Sequence, residues 1–140
     1  MRQILLFAAL AASLALLSGC ALSKAKADTA EDMSDKAAYH KLSAEEAYEM
    51  MASQEVVVVD VRTREEYDGG HIENAVLVPN ESIGSETPEA LPDKEATLLV
   101  YCRSGRRSKD AAQKLLELGY QSVYDFGGVI DWPYELVKEG

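Results

Sequence analysis

Residues 101–108 read Tyr-Cys-Arg-Ser-Gly-Arg-Arg-Ser. A cysteine kept for packing needs none of these neighbours. A cysteine that must be an anion, and must hold one, can use all of them. An apolar run, Thr97–Cys102, precedes the stretch and a helical pattern begins near Ser108, so the backbone between must turn tightly. Gly105 permits a positive φ there. Successive amides in such a turn point inward as a nest for an anion, and the helix start adds partial positive charge on the same side. At comparable positions a thiol pKa falls to roughly 3.5–7.5. Arg103, Arg106 and Arg107 add permanent charge around the rim, with fork geometry suited to oxyanions. Ser104 and Ser108 complete the loop. Cys102 is therefore expected to be a thiolate nucleophile at neutral pH.

Other chemistry-bearing residues carry less. Asp60 ends a strand on the same sheet edge as Cys102; it either caps the turn Thr63–Tyr67 or fixes the loop through an ion pair or hydrogen bond. Arg62 is expected to pair with Glu65 or Glu66 in a supporting role. A thiolate ionised by its loop needs no general base, so His71 reads as structural, and His40 lies close to a polar tether. Trp132 closes the core or shields the pocket. No His, Cys and Asp grouping has metal-ligand spacing, and no cofactor is implied.

The elements that must position these groups alternate. Leu42–Ala52 is an amphipathic helix with a Ser43/Glu46 capping box. Val56–Asp60 is a β-branched run suited to a strand buried on both faces. A short helical turn ends at Gly69 and Gly70, Ala75–Pro79 is a second strand, and Asn80–Asp93 is a loop. Thr97–Cys102 is a third, central strand, and Ser108–Tyr120 is a helix with Gly119 at its C-terminal cap. Ser122–Phe126 is a fourth strand; the remainder begins as a loop and ends in a short helix with Pro133 in its first turn. This is a single small α/β domain, a mainly parallel sheet with helices on both faces. In such sheets sites form beyond the carboxyl ends of the strands, where Cys102 falls.

The chain has 140 residues, 47% hydrophobic and 27% charged, with a formal net charge of -10. That suits one soluble domain, expected to be a monomer, and argues against nucleic acid, since no basic stripe is present to neutralise phosphates. Residues 1–19 carry one Arg, an apolar run from Ile4 to Leu17 and small residues before Cys20, the order of a secretory signal. The run is short for a membrane span, which needs about 20 apolar residues. Its ending, Leu-Ser-Gly-Cys, resembles a bacterial lipobox. That resemblance implies lipidation of Cys20 and a cell-envelope, extracytoplasmic location, because two or more acyl chains anchor stably where one does not. Residues 20–38 then read as a flexible tether, the polar character running on to Lys41, and residues 39–140 as the domain.

The loop Cys-Arg-Ser-Gly-Arg-Arg-Ser at 102–108 resembles the active-site loop of rhodanese domains, which are sulfurtransferases. Residues 56–72, with Asp60-Val61-Arg62, Glu66-Tyr67 and Gly70-His71-Ile72, resemble the family's other hallmark, and Tyr124–Trp132 resembles its Gly-Gly and Trp ending. One departure shows: Glu73-Asn74-Ala75 stands where the family usually has Pro-Gly-Ala. The resemblance implies a Cys102 persulfide formed from thiosulfate or another persulfide and passed to a thiol or cyanide. Arg103 and Arg107 would orient the donor, the amides from Arg103 to Ser108 would cradle the persulfide, and Arg106 could point either way. The rivals are a non-catalytic sulfur carrier and a phosphatase or arsenate reductase. Phosphatases of related build place their arginine one position later, in a longer loop; here Ser108 stands at that position.

Overall fold

The computed structural model describes residues 38–139. The leader, Cys20 and the tether as far as residue 37 lie outside the described residues. Strands β1 (Ala38–Lys41), β2 (Val57–Asp60), β3 (Val76–Leu77), β4 (Thr97–Cys102) and β5 (Ser122–Gly128) form one sheet in the order β1-β5-β4-β2-β3. All four pairings are parallel. Helices α1 (Ala44–Ser53), α2 (Arg64–Asp68) and α3 (Arg106–Glu117) connect them, with short 3-10 turns at Asn80–Ser82 and Val129–Asp131.

Strand β4 is central because its run is apolar on both faces. Leu98, Val100 and Cys102 pack with Ala111, Ala112 and Leu115 of α3. Leu99 and Tyr101 pack on the other side with Ala47 of α1 and Tyr67 of α2. Leu98, Leu99 and Val100 are fully buried, and each contributes about 1.5–3 kcal/mol on leaving water. The sheet is thus covered on both faces, as the alternation of elements predicts.

Local chemistry sets the helix starts. Ser43 and Glu46 form the expected capping box of α1, and Thr63 and Glu66 form a second at α2. Helix α3 has no side-chain cap; Gly105 precedes it at φ 100°. Its first amides are therefore open to whatever sits at the end of β4.

Two expectations need correction. Residues 38–41 belong to the sheet, with Tyr39 beside Val123 and Lys41 beside Asp125. Their polar, short pattern is what an exposed edge strand looks like, and it is easily read as tether. Beyond the 3-10 turn Val129–Asp131 the C-terminal segment forms no helix among the described residues. Strand β5 continues to Gly128, and Trp132 is extended (φ -80°, ψ 114°) because the ring of Pro133 disfavours helical backbone before it. Val137 instead exchanges backbone hydrogen bonds with His71 at 2.8 and 2.9 Å.

Strand β5 carries one irregularity beside the site. Val100 pairs with Asp125 but Cys102 pairs with Gly128, so β5 spends an extra residue there. Gly127, at φ 93°, takes up that bulge.

Candidate active site

Cys102 ends β4 with 1% of its surface exposed. The chain leaves the strand, turns through Arg103, Ser104 and Gly105, and enters α3. The Gly105 amide donates to the Cys102 Sγ at 3.0 Å. The positive φ of Gly105 aims that amide, and a Cβ built there would sit 3.5 Å from the Cα of Gly127. Gly128 is bare for a stronger reason: a Cβ on it would run into the carbonyl of Arg103. The loop is thus seated directly on the β5 backbone, and the Ile130 amide donates to the Arg103 carbonyl at 3.2 Å.

Burial alone would push the Cys102 thiol up. The amides of Ser108, Gly105 and Ser104, together with the Ser108 hydroxyl, outweigh it and bring the thiol below its ordinary value. The sequence assigns part of this effect to guanidinium groups. In the structure the groups that lower it most are backbone amides and one serine, so the polypeptide nest carries the field.

The three arginines divide. Arg107 is held by Glu66 in a two-pronged ion pair, both contacts at 2.8 Å. Arg106 and Arg107 line a cavity of about 370 Å³ with Asn80, Glu81 and Asp110. Arg103 is exposed. Of the pair expected to steer an anion, Arg107 is therefore already occupied by a carboxylate.

Asp60 and Arg62 are brought together as an ion pair, one of the two readings of Asp60, with a partner other than the ones assigned to Arg62. Arg62 does not pair with Glu65 or Glu66; its Nε and Nη2 donate to Asp60 at 3.0 and 2.6 Å, and Nη2 also donates to the Gly70 carbonyl at 2.8 Å. Asp60 does not cap the turn after it, a task Thr63 performs. It accepts the Tyr101 hydroxyl at 2.6 Å, and that oxygen accepts the Ile72 amide at 3.1 Å. Burial and the Asp60 charge hold the Tyr101 phenol far above its usual range. The pair braces the β2–β4 edge one residue before the cysteine.

His71 donates through Nδ1 to the Tyr67 carbonyl at 2.9 Å and stacks on the Tyr67 ring, a structural placement. His40 stacks on Tyr124 at the surface. Trp132 packs against Phe126 and Tyr134 in the layer opposite the one that receives Cys102. Tyr48, Trp132 and Tyr134 line a cavity of about 640 Å³ on that face, which contains no residue of the loop. Among the described residues no group of His, Cys, Asp and Glu side chains could hold a metal ion.

Sequence reasoning missed Asp125. This carboxylate is fully buried and accepts hydrogen bonds from Ser108, Gly127, Tyr39 and Lys41. The available signal was a charge inside the apolar β5 run, where an unpaired carboxylate is not tolerated.

Comparison with known proteins agrees with this geometry. The rhodanese-like domain family matches residues 43–133. A tRNA uridine(34) hydroxylase of Yersinia pestis is 32% identical over 106 residues, a match covering 72% of this chain and 30% of the relative. The chain thus spans under a third of the length of the curated relatives it matches. A solved rhodanese with anions from E. coli is 35% identical, covering 61% of this chain and 100% of that one, with a TM-score of 0.55. A rhodanese-like domain protein from Staphylococcus aureus is 30% identical over 72% of this chain and 99% of its own, TM-score 0.62. A human single-domain sulfurtransferase is 27% identical over 66% of this chain and 93% of its own, TM-score 0.59.

Proposed function

Because this chain belongs to the rhodanese-like family, we propose that it is a sulfurtransferase whose reacting atom is the Cys102 sulfur. The observation that carries the proposal is the Gly105 amide aimed at that sulfur from 3.0 Å, at the carboxyl end of the central strand. A lowered thiol at such a place is a nucleophile held ready.

The Cys102 thiolate attacks the outer sulfur of a small donor, thiosulfate or a persulfide. The donor's S–S bond breaks, its electron pair leaves with sulfite or a thiolate, and a Cys102 persulfide forms. The amides of Ser104, Gly105 and Ser108 that favour the thiolate would then cradle the terminal sulfur. An acceptor thiolate or cyanide then attacks the terminal sulfur and releases Cys102 as thiolate. Two half-reactions sharing one enzyme-bound intermediate give ping-pong kinetics. Arg103 and Arg106 draw the donor to the mouth, and Asp60 and Arg62 hold the strand edge.

The leader resembles a lipobox, so the same reading places the domain outside the cytoplasm, tethered to a membrane through lipid on Cys20. Cys20→Ser should then leave the protein out of the membrane fraction of cells grown with a labelled fatty acid, and unlabelled. An unaltered distribution would remove the anchor from the proposal.

The test of the chemistry is a mass spectrum after exposure to thiosulfate or glutathione persulfide. One added sulfur atom on Cys102, removed by cyanide and absent in Cys102→Ser, is the expected result. If neither donor adds sulfur, the domain is a binding module and not a transferase.

A further inference from the structure

Sulfur transfer as written above gives Asp125 no task, although it is a fully buried charge two residues from the Gly127 bulge. Its two oxygens serve different neighbours. Oδ1 accepts from the Ser108 hydroxyl at 2.7 Å and the Gly127 amide at 2.9 Å. Oδ2 accepts from the Tyr39 hydroxyl at 2.7 Å and the Lys41 ammonium at 3.2 Å, both on β1. The Ser108 oxygen in turn lies 3.7 Å from the Cys102 Sγ.

A hydroxyl has one hydrogen to give. Three acceptors surround the Ser108 Oγ: Asp125 Oδ1 at 2.7 Å, the Gly105 carbonyl at 3.1 Å and the Gly127 carbonyl at 3.2 Å. The carboxylate is the nearest and the only charged one, and charge-assisted bonds are the stronger. The hydrogen therefore points at Asp125, and the Ser108 oxygen turns a lone pair toward Cys102. That arrangement fits a thiol, which can donate S–H to the oxygen. A thiolate needs a donor, which the Ser108 hydroxyl supplies only once it turns from Asp125 to the sulfur, and in that sense it lowers the thiol. The amides of Ser108, Gly105 and Ser104 pull toward the thiolate.

We infer that Asp125 is a positioning residue that restrains ionisation of Cys102 by holding the Ser108 hydrogen away from the sulfur. When the nucleophile forms, the Cys102 proton leaves to solvent and the Ser108 O–H swings from Oδ1 to the negative sulfur. No O–H bond breaks. Asp125 keeps Gly127, Tyr39 and Lys41, so its charge stays compensated. The other groups facing this centre are Arg107 of α3, whose guanidinium Glu66 of α2 already holds, and the amides of Ser104 and Gly105. The inference rests on Cys102 being the reacting sulfur, but its test reads the free protein without any donor.

The test is the pH dependence of alkylation of Cys102 by iodoacetamide. Asp125→Asn should move the midpoint to lower pH and Ser108→Ala to higher pH, each by about half a unit, or about threefold in thiolate below the midpoint. In the double variant the Asp125→Asn shift should vanish, because the hydroxyl that transmits it is gone. A midpoint unchanged or raised by Asp125→Asn overturns the inference, and a loosened loop, which withdraws the amides, would raise it. An Asp125→Asn shift that survives intact in the Ser108→Ala background also overturns it, since the charge would then act through space. Should Asp125→Asn fail to fold, Tyr39→Phe decides: it takes a donor from Oδ2 without changing charge, tightens the hold on Ser108 and should raise the midpoint, and an unchanged or lowered value overturns the idea. Sulfur loading measured by mass on the same samples keeps the two readings apart. A wild-type protein that takes no sulfur defeats the transferase assignment, while the order of midpoints still judges Asp125.

Discussion

Glu66 and Arg107, 41 positions apart in sequence, meet in a two-pronged ion pair with both nitrogen–oxygen distances at 2.8 Å. The same Glu66 completes the capping box of α2 with Thr63. One carboxylate therefore ties the helix after β2 to the helix that starts at the cysteine loop. It also neutralises the arginine that the sequence assigns to anion steering.

Glu66→Gln keeps a capping-box residue at its position and frees the guanidinium. With Arg107 released toward the mouth, the KM for thiosulfate should fall about three- to tenfold, near 1 kcal/mol of added dianion binding. Steady-state kinetics of the variant check this, and an unchanged or higher KM would mean that Arg107 does not reach the donor even when free.

The pair also marks the protein's response to acid. The hydrogen bonds from Arg107, ahead of those from Thr63, hold the Glu66 carboxyl down to about 2. A carboxyl depressed in the folded state stabilises it above the unfolded value of about 4.3, and that share is lost as pH falls from there toward 2. The contribution is on the order of 1–2 kcal/mol for a half-buried pair. Thermal melting followed from about pH 6 down to about pH 3 should show a shallower loss in Glu66→Gln than in the wild type.

Cys102 should react as a lowered thiol. Burial opposes ionisation, the Ser108, Gly105 and Ser104 amides favour it, and the amides prevail. Iodoacetamide should therefore label Cys102 with a midpoint below about 8.5, the value of a free cysteine. A midpoint at or above that value would contradict the amide nest.

Arg62 and Asp60 are both buried, at 5% and 0% exposure. Arg62→Met should strand the Asp60 carboxylate with Tyr101 as its only side-chain donor and cost about 3–5 kcal/mol. Chemical denaturation measures the loss. Replacing both residues by apolar ones of similar size should recover much of it, because the cost lies in the uncompensated charge and not in the missing bond.

Much of this arrangement was legible in local sequence. The apolar run Thr97–Cys102 gave β4 with the bounds observed, and Gly105 between cysteine and helix gave the turn, because both are decided by residues adjacent in the chain. Long-range pairings were not legible. Arg62 had two acidic residues within helical reach and took Asp60 behind it instead; Glu66 reached across to Arg107. Nothing in spacing announces a partner 41 positions away. Strand β1 escaped notice because Ala-Tyr-His-Lys has no apolar pattern, its hydrogen bonds being answered by β5 alone. Asp125 went unread because its reason for being buried lies in Ser108, Tyr39 and Lys41, which only the folded sheet assembles.

The depth of the sulfur carries a last consequence. With 1% of Cys102 exposed, the sulfur should favour small, narrow reagents, and iodoacetamide should label it faster than a bulky maleimide does. A terminal sulfane sulfur is a tip of that kind, so the depth of the nucleophile favours the donors proposed for it.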